Sequence, residues 1–180
     1  MSDQTDLVRQ IDDTTERLLT AAARLGDADM RAPSLLPGWT RGHVLTHLAR
    51  GGNALTNLLT WARTGVETPA YRSQEAREAD IEAGAGRPAA EIVADVSESA
   101  AAFRAAVDAL PEERWSFPVR ALAGPEFPAA QLLARRLTEL VLHHTDLDIG
   151  YGPADWPHEF ATMDLDEPMR SFREERAKGR

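Results

Sequence analysis

Four segments of this chain repeat apolar side chains at helical spacing, and each is stopped by a glycine or a proline. The fold therefore has to bury four apolar stripes against one another. The first segment runs from Asp3 to Leu25 (Leu7, Ile11, Leu18, Leu19, Ala22, Leu25) and stops at Gly26. The second, Arg41–Thr64, follows a stretch with Pro33, Pro37 and Gly38 that no regular helix accepts, and Thr40 stands where a side-chain cap is needed. The third, Ala89–Leu110, carries Ile92, Val93, Val96, Ala100, Phe103 and Val107 and ends at Pro111; the fourth spans Ala129–Ile149 before Gly150. Between them lie a polar, Gly-rich connection from Gly65 to Pro88, with a short helical candidate at Gln74–Glu82, and an apolar-anchored loop from Glu112 to Pro128. The expected fold is all-α: a four-helix bundle with long crossover connections and a short C-terminal helix around Trp156 to Met163. Pro168 and the charged end Arg173–Arg180 read as loosely held.

Composition narrows the function classes. At 180 residues the chain suits one domain that buries about 70% of its unfolded surface. Twenty basic residues, of which only Lys178 is a lysine, face 29 acidic ones, and the net charge of −9 argues against a nucleic-acid partner. No apolar run approaches the roughly 20 residues of a membrane span, and the first 25 residues carry charges throughout, so the cytoplasm is the expected location. Cysteine is absent, which rules out a disulfide, an iron–sulfur cluster and a cysteine nucleophile. Thiol chemistry would need a thiol brought from outside.

The fourth segment contains Glu139-Leu140-Val141-Leu142-His143-His144-Thr145-Asp146, and the four-residue spacing puts Glu139 and His143 on one helix face, able to share a metal. At about 100° per residue, the stripe Leu133, Leu137, Leu140, Leu147 lies roughly 90 to 120° from that pair, which places it at the rim of the core, where a metal keeps an open position. The second segment offers His43 and His47 at the same spacing, and either can supply a third ligand. His47, among Val44, Leu48 and Gly51, faces inward and is preferred, whereas His43 in the first turn has loop or solvent to engage. Two histidines and a glutamate suit catalytic zinc, with water or substrate in the fourth place. The plainer alternatives are a satisfied core histidine at His47, an ion pair of Glu139 with Arg135 or Arg136, and packing alone for His144. Asp146 is placed to orient His143 from outside the ligand shell or to bond its own backbone. Arg72, Arg77 and Arg87 in the long connection can bind an anionic ligand or form a solvated loop. Gly84-Ala85-Gly86-Arg87 follows no strand and is a poor phosphate loop, no serine has a nucleophile-elbow context, and Trp39, Trp61 and Trp115 read as core and loop anchors.

Three ordered motifs resemble the mycothiol-dependent maleylpyruvate isomerase family (its N-terminal metal-binding domain), within the DinB/YfiT-like superfamily of helical bundles. They are Leu36-Pro37-Gly38-Trp39-Thr40-Arg41-Gly42-His43-Val44-Leu45-Thr46-His47-Leu48-Ala49-Arg50; Tyr71-Arg72-Ser73-Gln74-Glu75-Ala76-Arg77 through Gly84-Ala85-Gly86-Arg87; and Glu139 through Leu147, continuing to Gly150-Tyr151 and Ala154-Asp155-Trp156-Pro157. The resemblance covers about residues 5–160. It implies a divalent metal, usually zinc, held by His47, Glu139 and His143, and mycothiol as cofactor or co-substrate bound through sulfur at the open metal position. Zinc deprotonates a bound thiol and holds the nucleophile against a small electrophilic substrate. In an isomerase the thiolate adds to the cis double bond of maleylpyruvate, the new single bond rotates, and elimination gives fumarylpyruvate and the thiol. In a transferase the reaction stops at addition or displacement. Complete isomerases of the family usually continue into a small C-terminal α/β domain. Here the bundle is expected at 1–160 and a tail at 161–180, without that domain, and Arg72, Arg77 or Arg87 would have to replace its cationic substrate contacts.

The sequence thus supports a zinc-dependent, mycothiol-using isomerase first, a mycothiol S-transferase acting on electrophiles second, and a non-catalytic metal- or ligand-binding bundle third. A monomer and a homodimer are both compatible with it.

Overall fold

A computed structural model describes residues 2–122 and 124–179. Four long helices, α1 (Ser2–Ala22), α3 (Arg41–Thr64), α5 (Ala89–Asp108) and α6 (Gln131–Asp146), form the bundle. Within it α3 packs on α5 and α6, and α1 packs on α6 and α5. The expected stripes meet in one core: Leu18, Val44, Leu48, Ile92, Val96, Leu133, Leu137 and Leu140 are all fully buried. Each such aliphatic side chain contributes about 1.5–3 kcal/mol when taken out of water. The four-helix architecture expected from periodicity is the one observed, and no helix among the described residues is long and apolar enough to cross a membrane.

The connections are more ordered than their composition implies. After the short α2 (Asp27–Arg31), Thr40 caps α3 as expected, its side chain accepting from the His43 amide. The Gly65–Pro88 crossover contains a full helix, α4 (Gln74–Ala85), capped by Ser73 and lying on α3. Two glycines permit that contact. A Cβ on Gly42 would sit 2.3 Å from the Ala85 carbonyl oxygen, and one on Gly84 would sit 2.4 Å from Thr46 Cγ2. The two backbones therefore nearly touch where α3 begins and α4 ends, which fixes the slope of α4 across the second motif.

The segment read as an apolar-anchored loop holds a small hairpin, β1 (Pro118–Arg120) with β2 (Glu126–Pro128), paired antiparallel with Val119 opposite Phe127. Both of these side chains turn inward while their neighbours are exposed, the period-two pattern of a half-buried ribbon. Its apolar anchors, Trp115, Phe117 and Phe127, do pack on the core.

The C-terminal expectation needs correcting. The short helix is present as α7 (His158–Thr162), and a further helix, α8 (Met169–Ala177), follows where a loosely held end was expected and packs on α6. Arg173 anchors it by donating to the carbonyls of Phe160 (2.8 Å) and Met163 (2.7 Å), which terminate α7. The arginine-rich tail thus supplies donors at the end of α7, where intrahelical partners for the carbonyls run out.

Candidate metal centre

His47 projects from the second turn of α3 and Glu139 and His143 from successive turns of α6, so the packing of α3 on α6 brings the three together. His47 Nε2 is 2.9 Å from Glu139 Oε2 and 3.1 Å from His143 Nε2, and His143 Nε2 is 3.2 Å from Glu139 Oε2. Three ligands of a tetrahedral zinc at about 2.0–2.1 Å would stand about 3.3 Å apart. The observed triangle is therefore close to one face of such a tetrahedron, with borderline nitrogen and hard oxygen donors converging on one point. Two imidazole nitrogens and one carboxylate oxygen thus converge closely enough to hold a divalent cation between them. These are the only three described residues that could hold a metal as a group.

The surrounding shell fixes the rings. Asp146 Oδ2 accepts from His143 Nδ1 at 2.8 Å, which leaves Nε2 as the face turned to Glu139 and His47. Arg77 Nη2, which can only donate, stands 3.1 Å from His47 Nδ1, so in the metal-free protein that nitrogen carries the lone pair and Nε2–H points to Glu139. Trp39 closes the other side of His47, edge-on with ring centroids 5.6 Å apart.

These contacts set the charges. Burial lowers the His47 pKa below 6.5, and the neighbouring His143 and Arg77 add to this against the pull of Glu139, so His47 is neutral. Burial also disfavours charge on His143, but its bonds to Asp146 and Glu139 outweigh it and push the pKa up to about 9. Burial opposes ionisation of Glu139 as well, yet hydrogen bonds from His143 and His47 hold its carboxyl well below the usual range. The metal-free centre is thus a carboxylate accepting from one neutral and one charged imidazole.

Beside the triad lies a cavity of about 340 Å³ between α3, the start of α4, the hairpin and α6. Its walls are mostly apolar, including Leu55, Leu58, Leu122, Phe127 and Met169, with Tyr71, Arg77 and Arg135 as polar groups. Burial raises the Tyr71 pKa, so its hydroxyl stays protonated. The Arg135 guanidinium lies over the Phe127 ring, 4.1 Å from its centroid.

Of the three arginines singled out in the crossover, Arg77 reaches the triad. Arg87 bonds Asp95 and the Gly84 carbonyl instead, and the exposed Arg72 lines an adjoining groove with Asn57 and Asp80. His43 stays out of the triad: its Nδ1 is 2.7 Å from Thr40 Oγ1 and its Nε2 is 3.0 Å from the exposed Glu82. His144 is buried and stacks flat on Tyr151, as its place near the apolar stripe implies. Arg135, read from the sequence only as an ion-pair partner for Glu139, lines the cavity instead, and sequence reasoning missed Arg176, which bonds both oxygens of Asp146. The spacing of Met169, Phe172, Arg173 and Arg176 was the available signal for a helix that could deliver it.

Comparison with known proteins agrees with this architecture. Residues 11–148 match the family described as "Mycothiol maleylpyruvate isomerase N-terminal domain". Two crystal structures, one of the mycothiol-dependent maleylpyruvate isomerase and one of a histidine-to-alanine mutant of it, each align with a TM-score of 0.84 at 30% identity, over 88% of this chain and 66% of theirs. The chain therefore spans just under two thirds of the length of these solved relatives. No curated protein matches the sequence. With most of its length matched and its helices arranged as in those structures, the chain belongs to the mycothiol maleylpyruvate isomerase N-terminal domain family.

Proposed function

We propose that this chain is a divalent-metal enzyme, with zinc the preferred ion, that uses mycothiol to isomerise a maleylpyruvate-like cis electrophile by thiol addition and elimination. The observation that carries the reading is the convergent triangle of His47, Glu139 and His143 opening onto a mostly apolar cavity. When bound, zinc supplies Lewis acidity that ionises a thiol at neutral pH.

The chain's own residues prepare that chemistry. Asp146 holds the His143 ring, and with it the direction of its Nε2 lone pair. Glu139 brings one negative charge to the ligand set, so two neutral imidazoles and one carboxylate leave a divalent ion a net positive charge with which to bind a thiolate. Arg77, beside His47 and over the Tyr71 ring, keeps a guanidinium at the edge of the cavity where a carboxylate of the electrophile can be received. Leu55, Leu58, Leu122 and Phe127 limit water around the thiol and the double bond. Thiol transfer to an electrophile is the second reading, favoured by those same apolar walls, which also suit a substrate without charge.

Elemental analysis of gently purified protein beside His47→Ala tests the centre. About one zinc per wild-type chain, lost in the variant, is the expected result. No metal in either after zinc is offered would refute it and leave a non-catalytic bundle. Free-thiol titration during turnover then separates the two reactions, since isomerisation returns the thiol and transfer consumes it.

A further inference from the structure

We infer that α8 belongs to the support of the metal centre, and that Arg176 is a positioning residue which, through Asp146, fixes the orientation and tautomer of His143. The inference rests on His143 being a ligand, as proposed above. Its geometry is a chain of three side chains from two distant parts of the sequence. Asp146 is buried at 2% exposure and each of its carboxylate oxygens is used. Oδ1 accepts from Arg176 Nε at 2.9 Å, while Oδ2 accepts from Arg176 Nη2 at 2.9 Å and from His143 Nδ1 at 2.8 Å. This is the side-on, two-bond fork of guanidinium on carboxylate, which holds the carboxylate plane as well as its position.

Without Arg176, Oδ1 would be a buried acceptor with no partner among the described residues, and the carboxylate would be free to turn about its bond to His143. A turned carboxylate no longer dictates that His143 keep its proton on Nδ1 and present Nε2 to Glu139 and His47. Ring orientation imposed by such outer partners is worth about 10- to 100-fold in metal affinity where it has been tested by mutation. Arg176 Nη1 donates to the Phe172 carbonyl at 3.1 Å, so each of the three guanidinium nitrogens makes a bond within the protein. Arg176 does not line the cavity beside the triad, so its role is to position another residue and not to bind substrate.

Two further facts separate this role from ordinary helix docking. Arg173, one turn earlier, already pins α8 to the end of α7, and Arg170 Nε donates to the Leu165 carbonyl at 3.0 Å. Arg176 is thus not needed as the only anchor. It also lies beyond the family match, which ends at residue 148, so this support comes from the chain's own C-terminal segment.

The test compares Arg176→Met, Arg176→Lys and Arg173→Met in the full chain. Imidazole ¹⁵N and ¹H NMR on metal-free protein reads the His143 Nδ1–H held by Asp146, and competition with a chelator reads zinc affinity. Arg176→Met is expected to lose the slowly exchanging His143 Nδ1–H signal and to weaken zinc binding at least tenfold, with partial recovery in Arg176→Lys. Arg173→Met should lower the melting temperature yet keep both readouts at wild type. Equal losses of zinc affinity in the Arg173 and Arg176 variants would reduce α8 to a structural brace and overturn the inference, as would an unchanged Nδ1–H signal in Arg176→Met. If wild type itself takes up no zinc, the metal proposal fails, while the NMR comparison still decides whether Arg176 orients His143.

Discussion

Metal uptake by this centre should be a proton-releasing reaction whose strength is set by His143. In the metal-free protein the bonds to Asp146 and Glu139 overcome burial and hold the His143 pKa at about 9. At pH 7 the ring is therefore about 99% protonated, and a metal must displace that proton from Nε2. The displacement weakens apparent affinity about 100-fold relative to alkaline solution, roughly 3 kcal/mol at 1.36 kcal/mol per pKa unit. Affinity should rise about tenfold per pH unit from near 6.5 and level off near 9. His47 adds no slope, since burial keeps it neutral, but its proton must move from Nε2 to Nδ1, where Arg77 Nη2 stands 3.1 Å away. Arg77 then has to swing off, so Arg77→Met should bind zinc as tightly as wild type or tighter while losing turnover. Calorimetric titration with zinc at pH 7 in two buffers of different ionisation enthalpy counts the protons, and about one per metal is expected from His143. Asp146→Asn removes the strongest group raising that pKa and should cut the count to about half or less. Affinity that is flat between pH 6.5 and 8.5, or a count that Asp146→Asn leaves unchanged, would refute this account of the charges.

Gly42→Ala places a methyl group 2.3 Å from the Ala85 carbonyl oxygen, so α4 must retreat and carry Arg77 with it. Urea unfolding should show a loss of about 1–3 kcal/mol with helical content kept, and turnover should fall further than stability does. Metal-free stability should peak near pH 6.5. The raised His143 contributes stability that is complete below its unfolded value of 6.5 and is lost as pH rises toward 9, whereas burial and then Arg17 lower His144 to about 4, a contribution present above 6.5 and lost as pH falls. Urea midpoints in EDTA check this, and His143→Gln should flatten the alkaline arm; a flat wild-type midpoint from 6.5 to 9 would contradict it. Arg136 is fully buried, with one bond to the Leu48 carbonyl and no hydrogen-bond partner for Nε and Nη2 among the described residues. Arg136→Met should therefore raise the unfolding free energy in urea by about 1 kcal/mol or more, because the desolvated guanidinium is poorly compensated.

How much of this was legible in the sequence follows from the distance over which each interaction acts. Glu139 and His143 lie one turn apart on one face of α6, and the inward face of His47 follows from Val44 and Leu48 beside it, so local periodicity gives each residue its face, whereas the seam they share comes from the packing of α3 on α6. Asp146 is one turn from His143 and was within reach of the same argument. Arg176 is 30 residues from its partner. No spacing rule connects them, and the charge of the tail disguised a helix held by carbonyls that only the fold exposes. The hairpin escaped for another reason: its three-residue strands are too short for alternation to stand out among prolines. Gly42 and Gly84 look like ordinary helix glycines until α4 is seen lying on α3.

The cavity is assembled from two kinds of material. His47 and Glu139 stand on bundle helices whose stripes are locked in the core, while Tyr71, Gln74, Ala121, Leu122, Phe127 and Met169 come from the crossover, the hairpin and α8. Cores tolerate few changes in volume, whereas connections accept insertions and exchanges readily. On the proposed function, the metal-binding end of the site thus comes with the bundle, and the shape of the guest it admits is written in the connecting parts. Grafting a crossover or hairpin from a relative would then change which electrophiles are admitted while leaving His47, Glu139 and His143 in place.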